Sequence, residues 1–162
     1  YLHGNYLDIE LSGQFDLITM IMCDFCALSP EQRSRLLSKF SSILNPGGSV
    51  LLDVYSLNSF SGKSQAAVYE KNQLNGFWSP DNYYCFVNSF KYNKEKVTLD
   101  KFTIVEQEQT RVVYNWLQYF SMDSLKKECG RAGFTLSEIY ANVAGDSFDP
   151  DSEEFAVVLR KQ

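Results

Sequence analysis

An α/β fold built around a parallel strand pair is what this sequence predicts, and three observations predict it. Residues 15–23 are nearly all apolar, as a strand buried on both faces should be. A capped amphipathic helix follows at once. A Pro-Gly-Gly turn then delivers a second apolar run, Val50-Leu51-Leu52-Asp53-Val54-Tyr55. Strand, helix, tight turn and strand make a βαβ unit, whose crossover should be right-handed.

Each element has its own signal. Ser29 caps the first helix, Pro30 fits its first position and Gln32 completes a capping box. Leu36, Leu37, Phe40, Ile43 and Leu44 line one helical face, with Arg33, Arg35, Ser38, Lys39 and Ser42 assigned to the opposite, solvent face. Asn45-Pro46-Gly47-Gly48 should stop that helix and turn the chain. From residue 57 to about 82 the pattern dissolves into Ser, Asn, Gly and Lys, which reads as a loop with one short helix around residues 65–69. Three strand-like runs follow, at 83–92, 97–106 and 110–120, joined by polar turns into an antiparallel meander. Alternation places Tyr84, Phe86, Phe90 and Tyr92 on one face of the first run, and Val112, Tyr114, Trp116 and Phe120 on one face of the last. Ser121 caps another helix that runs to about Ala132, with Met122, Leu125, Cys129 and Ala132 inward and Gly133 ending it. Residues 134–143 and 155–161 are the last two strands.

Composition narrows the function. The chain has 162 residues, about one domain, with 44% hydrophobic and 22% charged residues, so it has the makings of a soluble core. A net charge of -5 argues against a nucleic-acid backbone as the main partner. The longest apolar run, 17–23, is strand-sized and far short of a membrane span. Aromatics make up 15%, and a meander face this aromatic needs a core or a ligand to cover it. The chain opens on Tyr1 with no signal-peptide pattern, and it reads as a piece of something longer.

Four cysteines in a chain of ordinary size favour a reducing, cytoplasmic setting over a disulfide scaffold. Cys23 and Cys26 form a C-x-x-C, yet the pair closes a strand where a redox pair should open a helix. As a zinc half-site it lacks a second thiol or imidazole pair, because Cys85, Cys129 and His3 are scattered singly. Packing cysteines, and no metal, are the expectation. Asp146, Asp149, Asp151, Glu153 and Glu154 crowd the loop between the last two strands, without the spacing of a twelve-residue calcium loop, so a solvated acidic loop is expected there.

Taken in order, Phe15-Asp16-Leu17-Ile18, the Leu44-Asn45-Pro46-Gly47-Gly48 turn into Val50-Leu51-Leu52, the helix from Ser121-Met122-Asp123 to Ala132-Gly133-Phe134 and the closing strand pair resemble the C-terminal half of a class I S-adenosylmethionine-dependent methyltransferase. The resemblance implies a Rossmann-like sheet, mixed because of a closing antiparallel hairpin, in residues 1–56 and 121–162. Residues 57–120 would be an inserted β meander and a substrate-side lid. Members bind the cofactor with a glycine-rich turn after their first strand, and no such turn occurs here. The resemblance therefore implies that the cofactor-binding first half is absent and that this chain is inactive alone.

Site residues follow from the same resemblance. The segment from Tyr1 to Tyr6 matches the turn that reads the adenine edge. Asn5 would accept from the adenine amino group and the Tyr6 amide would donate to the ring, or Asn5 simply makes a turn. Met22, Cys23 and Phe25 would sit at the carboxyl end of the sheet against the adenosine. Asp24 would orient a nucleophile or take its proton, or else cap the turn led by Ser29. His3 is expected at the surface. Tyr55, Phe60, Trp78, Tyr84, Tyr114 and Trp116 are candidates for a small-acceptor pocket, or fill the insertion's own core. Without a first strand to pair with, residues 16–23 would form an apolar edge, and a homodimer through that edge is expected. The competing readings are a non-catalytic α/β binding or assembly module, and another Rossmann-like enzyme whose cofactor half is missing.

Overall fold

Strands β1 (Phe15–Met20) and β2 (Leu44–Tyr55) run parallel and are joined by helix α1 (Pro30–Ile43), as the βαβ reading requires. They belong to a computed structural model that describes residues 2–161; Tyr1, part of the expected adenine-side segment, lies outside them. The predicted capping box opens α1: the Gln32 amide donates to Ser29 Oγ at 3.3 Å and the Ser29 amide to Gln32 Oε1 at 2.8 Å. Two backbone donors that the helix cannot use are thereby satisfied.

Arg33 corrects the sequence reading. Placed on the solvent face by its charge, it is only 3% exposed. Its Nε donates to Glu128 Oε1 at 2.6 Å, its Nη2 to Glu128 Oε2 at 3.2 Å and its Nη1 to the Leu28 carbonyl at 2.6 Å. The rings of Phe25 and Phe120 flank the guanidinium at 5.7 and 5.2 Å. A charge this deep persists only when a partner charge and hydrogen bonds replace its water.

Residues 45–48 do not form a separate turn but enter β2 as an irregular start, where Phe15 pairs with Leu44 and Leu17 with Ser49. Gly47 takes φ 76°, and a Cβ on Gly48 would lie 3.0 Å from the Asn45 carbonyl oxygen and 3.2 Å from that of Phe15. Only glycine fits so close an approach of two backbones.

The chain divides into two units, Tyr1–Ser59 with Tyr119–Gln162, and Phe60–Gln118. In the first, the sheet order is β1-β2-β8-β7, with β7 (Phe134–Tyr140) and β8 (Glu154–Lys161) antiparallel to each other and β8 antiparallel to β2. The sheet is therefore mixed, with a closing hairpin. Leu36, Leu37, Leu44, Val50, Leu52, Val54, Leu125 and Leu159 fill its core. Helix α4 (Met122–Arg131) starts on Ser121, whose Oγ accepts from the Ser124 amide at 3.1 Å, and lies against β7.

β1 is the edge of that sheet, and this changes its expected burial. Instead of being covered on both faces it leaves Phe15 38% and Leu17 57% exposed, and among the described residues no strand continues the sheet beyond it.

In the second unit β3 (Ala66–Lys71), β4 (Tyr84–Tyr92), β5 (Val97–Val105) and β6 (Thr110–Gln118) form one antiparallel sheet in sequence order. Residues 65–69, expected as a helix, are a strand: Ala66 to Lys71 find backbone partners along β4 that a helix could not use. The short helices α2 (Leu57–Gly62) and α3 (Gln73–Gly76) flank β3 in sequence. Tyr83, Cys85, Val87 and Ile104 make the buried cluster, with Trp78, Phe102 and Val113 packed on it. Tyr84, Phe86, Phe90 and Tyr92 share the other, exposed face with Val112, Tyr114 and Trp116. Phe120, expected on that face, instead packs 5.9 Å from Phe25 in the first unit. Among the described residues no helix is long and apolar enough to cross a membrane.

Candidate functional site at the carboxyl end of the parallel strands

After Met20 the chain leaves the sheet through two consecutive left-handed residues, Met22 (φ 69°) and Cys23 (φ 55°). Residues with a Cβ seldom adopt that conformation, so something must hold them. Asp53, near the end of β2 and 4% exposed, does so: the Met22 amide donates to its Oδ2 at 3.2 Å and the Cys23 amide to its Oδ1 at 2.8 Å. Hydrogen bonds to an ionised acceptor are stronger than neutral ones, and here they offset both the strained backbone and the desolvated carboxylate.

The turn Asp24–Ala27 then folds Cys26 back beneath Cys23, with the Cys26 amide on the Cys23 carbonyl at 2.9 Å. The neighbouring Cys26 thiol, burial and the nearby Asp53 and Glu154 carboxylates push the Cys23 thiol far up. Cys23 Sγ donates to Glu154 Oε2 at 3.8 Å, and Cys26 Sγ accepts from the Tyr55 amide at 3.3 Å. Glu154 arrives there because β8 pairs it with Tyr55 at the end of β2. The result is two thiols and two carboxylates from three separate elements. All four cysteines are free and buried.

The sequence-derived site residues do not gather in one place. Asn5 makes a turn: its Oδ1 accepts from the Leu7 amide at 3.0 Å and its Nδ2 donates to Asp8 at 2.7 Å. The turn is tied to α1 by Lys39 Nζ, which donates to the Tyr6 carbonyl at 2.9 Å and to the Ile9 carbonyl. Tyr6 and Asp24 lie near each other, close enough that burial, then the Asp24 charge, raise the Tyr6 phenol. Asp24 is exposed and does not cap α1, whose Ser29 is already served by Gln32. Met22, 84% exposed, presents its side chain to solvent beside this pair. Phe25 is corrected: with no exposed surface, its ring packs inside the core and has none left for a ligand. His3 is exposed.

Tyr55 packs 5.8 Å from Tyr119 in the first unit, and burial raises its phenol. Of the acceptor candidates in the second unit, Tyr84, Tyr114 and Trp116 share the exposed sheet face, while Trp78 packs 5.1 Å from Phe102 on the opposite one. Phe60 is buried, with the Lys91 and Lys96 ammonium groups 4.5 and 5.3 Å from its ring. Five residues expected around one pocket therefore divide between different surfaces of this unit.

Asp53 and Glu154 were not legible as site residues, and Cys26 was weighed only as part of the C-x-x-C and expected to be a packing cysteine. Asp53 carried one usable signal, a lone acid inside an apolar strand. Glu154 was counted with the acidic loop, but β8 begins on it and pairing turns it inward. It also lines a cleft of about 190 Å³ bounded by Ser56, Phe120, Met122, Phe148 and Phe155. That volume is below the range of an ordinary small-molecule pocket.

No family model and no curated protein matches this sequence. Solved structures do. The methyltransferase CcbJ from Streptomyces caelestis superposes with a TM-score of 0.69 at 17% identity, over 98% of this chain and 62% of its own. An S-adenosylmethionine-dependent methyltransferase from Clostridium acetobutylicum gives 0.70 at 10%, over 98% and 63%. The glycopeptide N-methyltransferase MtfA, solved with S-adenosyl-L-methionine, gives 0.57 at 16%, over 99% and 64%. The chain thus spans under two thirds of the length of these structures, and over that span it has the class I methyltransferase fold.

Proposed function

We propose that this chain is part of an S-adenosylmethionine-dependent methyltransferase that transfers a methyl group to a small acceptor. The likeness of fold over 98% of the chain carries the reading. Structural neighbours include a glycopeptide and a sugar N-methyltransferase, which favours an acceptor of modest size. The residues present fit one side of such a cofactor: the exposed Met22 and the Tyr6–Asp24 pair lie at the carboxyl end of the parallel strands, where open α/β sheets bind ligands. No glycine-rich strand-to-helix turn occurs in the 162 residues, so this chain offers no backbone cradle for the methionine end.

The cofactor supplies an activated methyl group, and the protein's work is then alignment and exclusion of water. Asp24, beside Tyr6, would orient the nucleophile or take its proton. Four free thiols favour a reducing compartment such as the cytoplasm.

The test is calorimetry with S-adenosylhomocysteine on two samples. The 162-residue chain should show no saturable binding at micromolar concentration, and the complete gene product, whatever its length, should bind. In that product Asp24→Asn should lower kcat roughly 10²-fold at unchanged cofactor affinity. Tight binding by the 162-residue chain overturns the view that it lacks half the site; no binding by the complete product overturns the methyltransferase reading.

A specific observation favours an assembly role beside the catalytic one. β1 is an unpaired edge with Phe15, Leu17, Ile21 and Met22 exposed, and for this chain in isolation the available strand is another copy's β1. A two-fold pairing there would continue the sheet through both copies. Sedimentation should therefore find dimers at micromolar concentration. Leu17→Lys should weaken them at least ten-fold, and a monomeric parent chain excludes this pairing.

A further inference from the structure

We propose that Cys23, Cys26, Asp53 and Glu154 form a binding site for a zinc-class divalent cation. A C-x-x-C pair is half of a tetrahedral site, and the sequence offers no second pair of thiols or imidazoles to complete it. The fold completes it differently, with one carboxylate from the end of β2 and one from the start of β8. One ligand atom each from Cys23, Asp53 and Glu154 lies within 4.8 Å of the others, and Cys26, buried three residues along the same turn, is the nearest further thiol in the chain but stands outside that trio. Donors around a tetrahedral zinc stand roughly 3.5 Å apart, so small rotations would bring the trio onto one ion, and Cys26 would have to turn from the Tyr55 amide toward it to be the fourth ligand.

Three further features match what a metal site requires. The ligands are oriented from outside: Asp53 spends one lone pair of each oxygen on the Met22 and Cys23 amides and keeps the others, while the Tyr55 amide points at Cys26 Sγ. There is a way in, because Glu154 reaches both the cluster and the cleft beside it. And positive charge is lacking. Asp53 is buried and Glu154 partly so, yet among the described residues the ion pairs are Arg33–Glu128, Arg35–Asp8 and Arg111–Glu106, none of which reaches them. Buried carboxylates without a cationic partner are costly, and a divalent ion removes that cost.

Two thiolates with two carboxylates suit zinc, cobalt or cadmium, whereas magnesium and calcium take all-oxygen sets. Binding would release both thiol protons to solvent as the two metal–sulfur bonds form. The proposal is independent of the methyltransferase reading, because it needs no cofactor and no turnover.

The test is a cobalt titration of the 162-residue chain, reduced and freed of metal, followed by displacement with zinc. One equivalent should saturate it with a thiolate-to-cobalt charge-transfer band, and zinc should abolish that band. Cys23→Ser and Cys26→Ser should each lose most of the band, and Glu154→Gln should weaken binding at least ten-fold. Cys85→Ser with Cys129→Ser should change nothing. Circular dichroism of each variant separates loss of ligand from loss of fold, and Glu154→Gln, at the cleft, keeps the test open if a cysteine variant unfolds. No saturable uptake, a cobalt spectrum without thiolate character, or a dithiol that takes no metal but closes to a disulfide in air would each overturn the proposal.

Discussion

Arg33→Met is expected to lower the unfolding free energy by about 3–5 kcal/mol, the usual cost of breaking a buried ion pair from one side. The guanidinium serves four neighbours at once: both oxygens of Glu128, the Leu28 carbonyl and the faces of Phe25 and Phe120. Methionine fills much of the volume but leaves the Glu128 carboxylate without a partner and the Leu28 carbonyl without this donor. Lost packing is the smaller part of that cost, and the stranded charge the larger. A second variant separates the two. Arg33→Met combined with Glu128→Leu removes both charges, so urea melts should show most of the loss recovered. A single-variant loss below about 1 kcal/mol would mean that the pair is solvated like a surface salt bridge.

Asp53→Ala should be nearly as severe, at about 3 kcal/mol. Its carboxylate accepts from two amides, those of Met22 and Cys23, and an unpaired buried donor costs about 1–3 kcal/mol. The same bonds hold two left-handed residues in succession, so their loss frees the turn that carries Cys23 and Cys26. Relief of repulsion with Glu154 works the other way but is smaller, since Glu154 keeps some solvent. Asp53→Asn should fall between, because an amide keeps one acceptor oxygen and turns an NH₂ toward a backbone donor. Hydrogen exchange is the direct readout: the Met22 and Cys23 amides should lose protection selectively. Unchanged protection in Asp53→Ala would show that the turn is held by other contacts.

Much of the fold was legible because its signals are local. Ser29, Pro30 and Gln32 announce α1 within four residues, and Ser121 announces α4 in the same way. Alternation in the runs 83–92 and 110–120 separates the aromatic face of the meander from the buried one, except at Phe120, which is buried against Phe25. The misses are of another kind. Ala66 to Lys71 has no strong strand signal and is a strand because β4 lies alongside. Residues 15–23 look buried on both faces by composition, and although the missing first strand already implied an edge there, the exposure of Phe15 and Leu17 shows only in the structure.

The candidate site was legible at one end only. Asp24, Met22 and the C-x-x-C could be placed at the carboxyl end of a strand from order and spacing. Their partners could not, because Asp53 is 30 residues from Cys23 and Glu154 is 131. The same holds for Arg33, whose carboxylate lies 95 residues on.

By itself, then, the sequence determined the βαβ unit, the helix caps, the meander and the likeness to a methyltransferase sheet. The first three rest on periodicity or hydrogen bonding among near neighbours, whose energies do not depend on the rest of the chain, and the likeness rests on resemblance in the order of the motifs. Only the tertiary structure decided which charges are buried, which residues of the edge strand stay exposed and which groups meet Cys23. Those outcomes depend on desolvation and on pairing across the sheet, and a charged side chain in the sequence carries no mark of the partner that will replace its water.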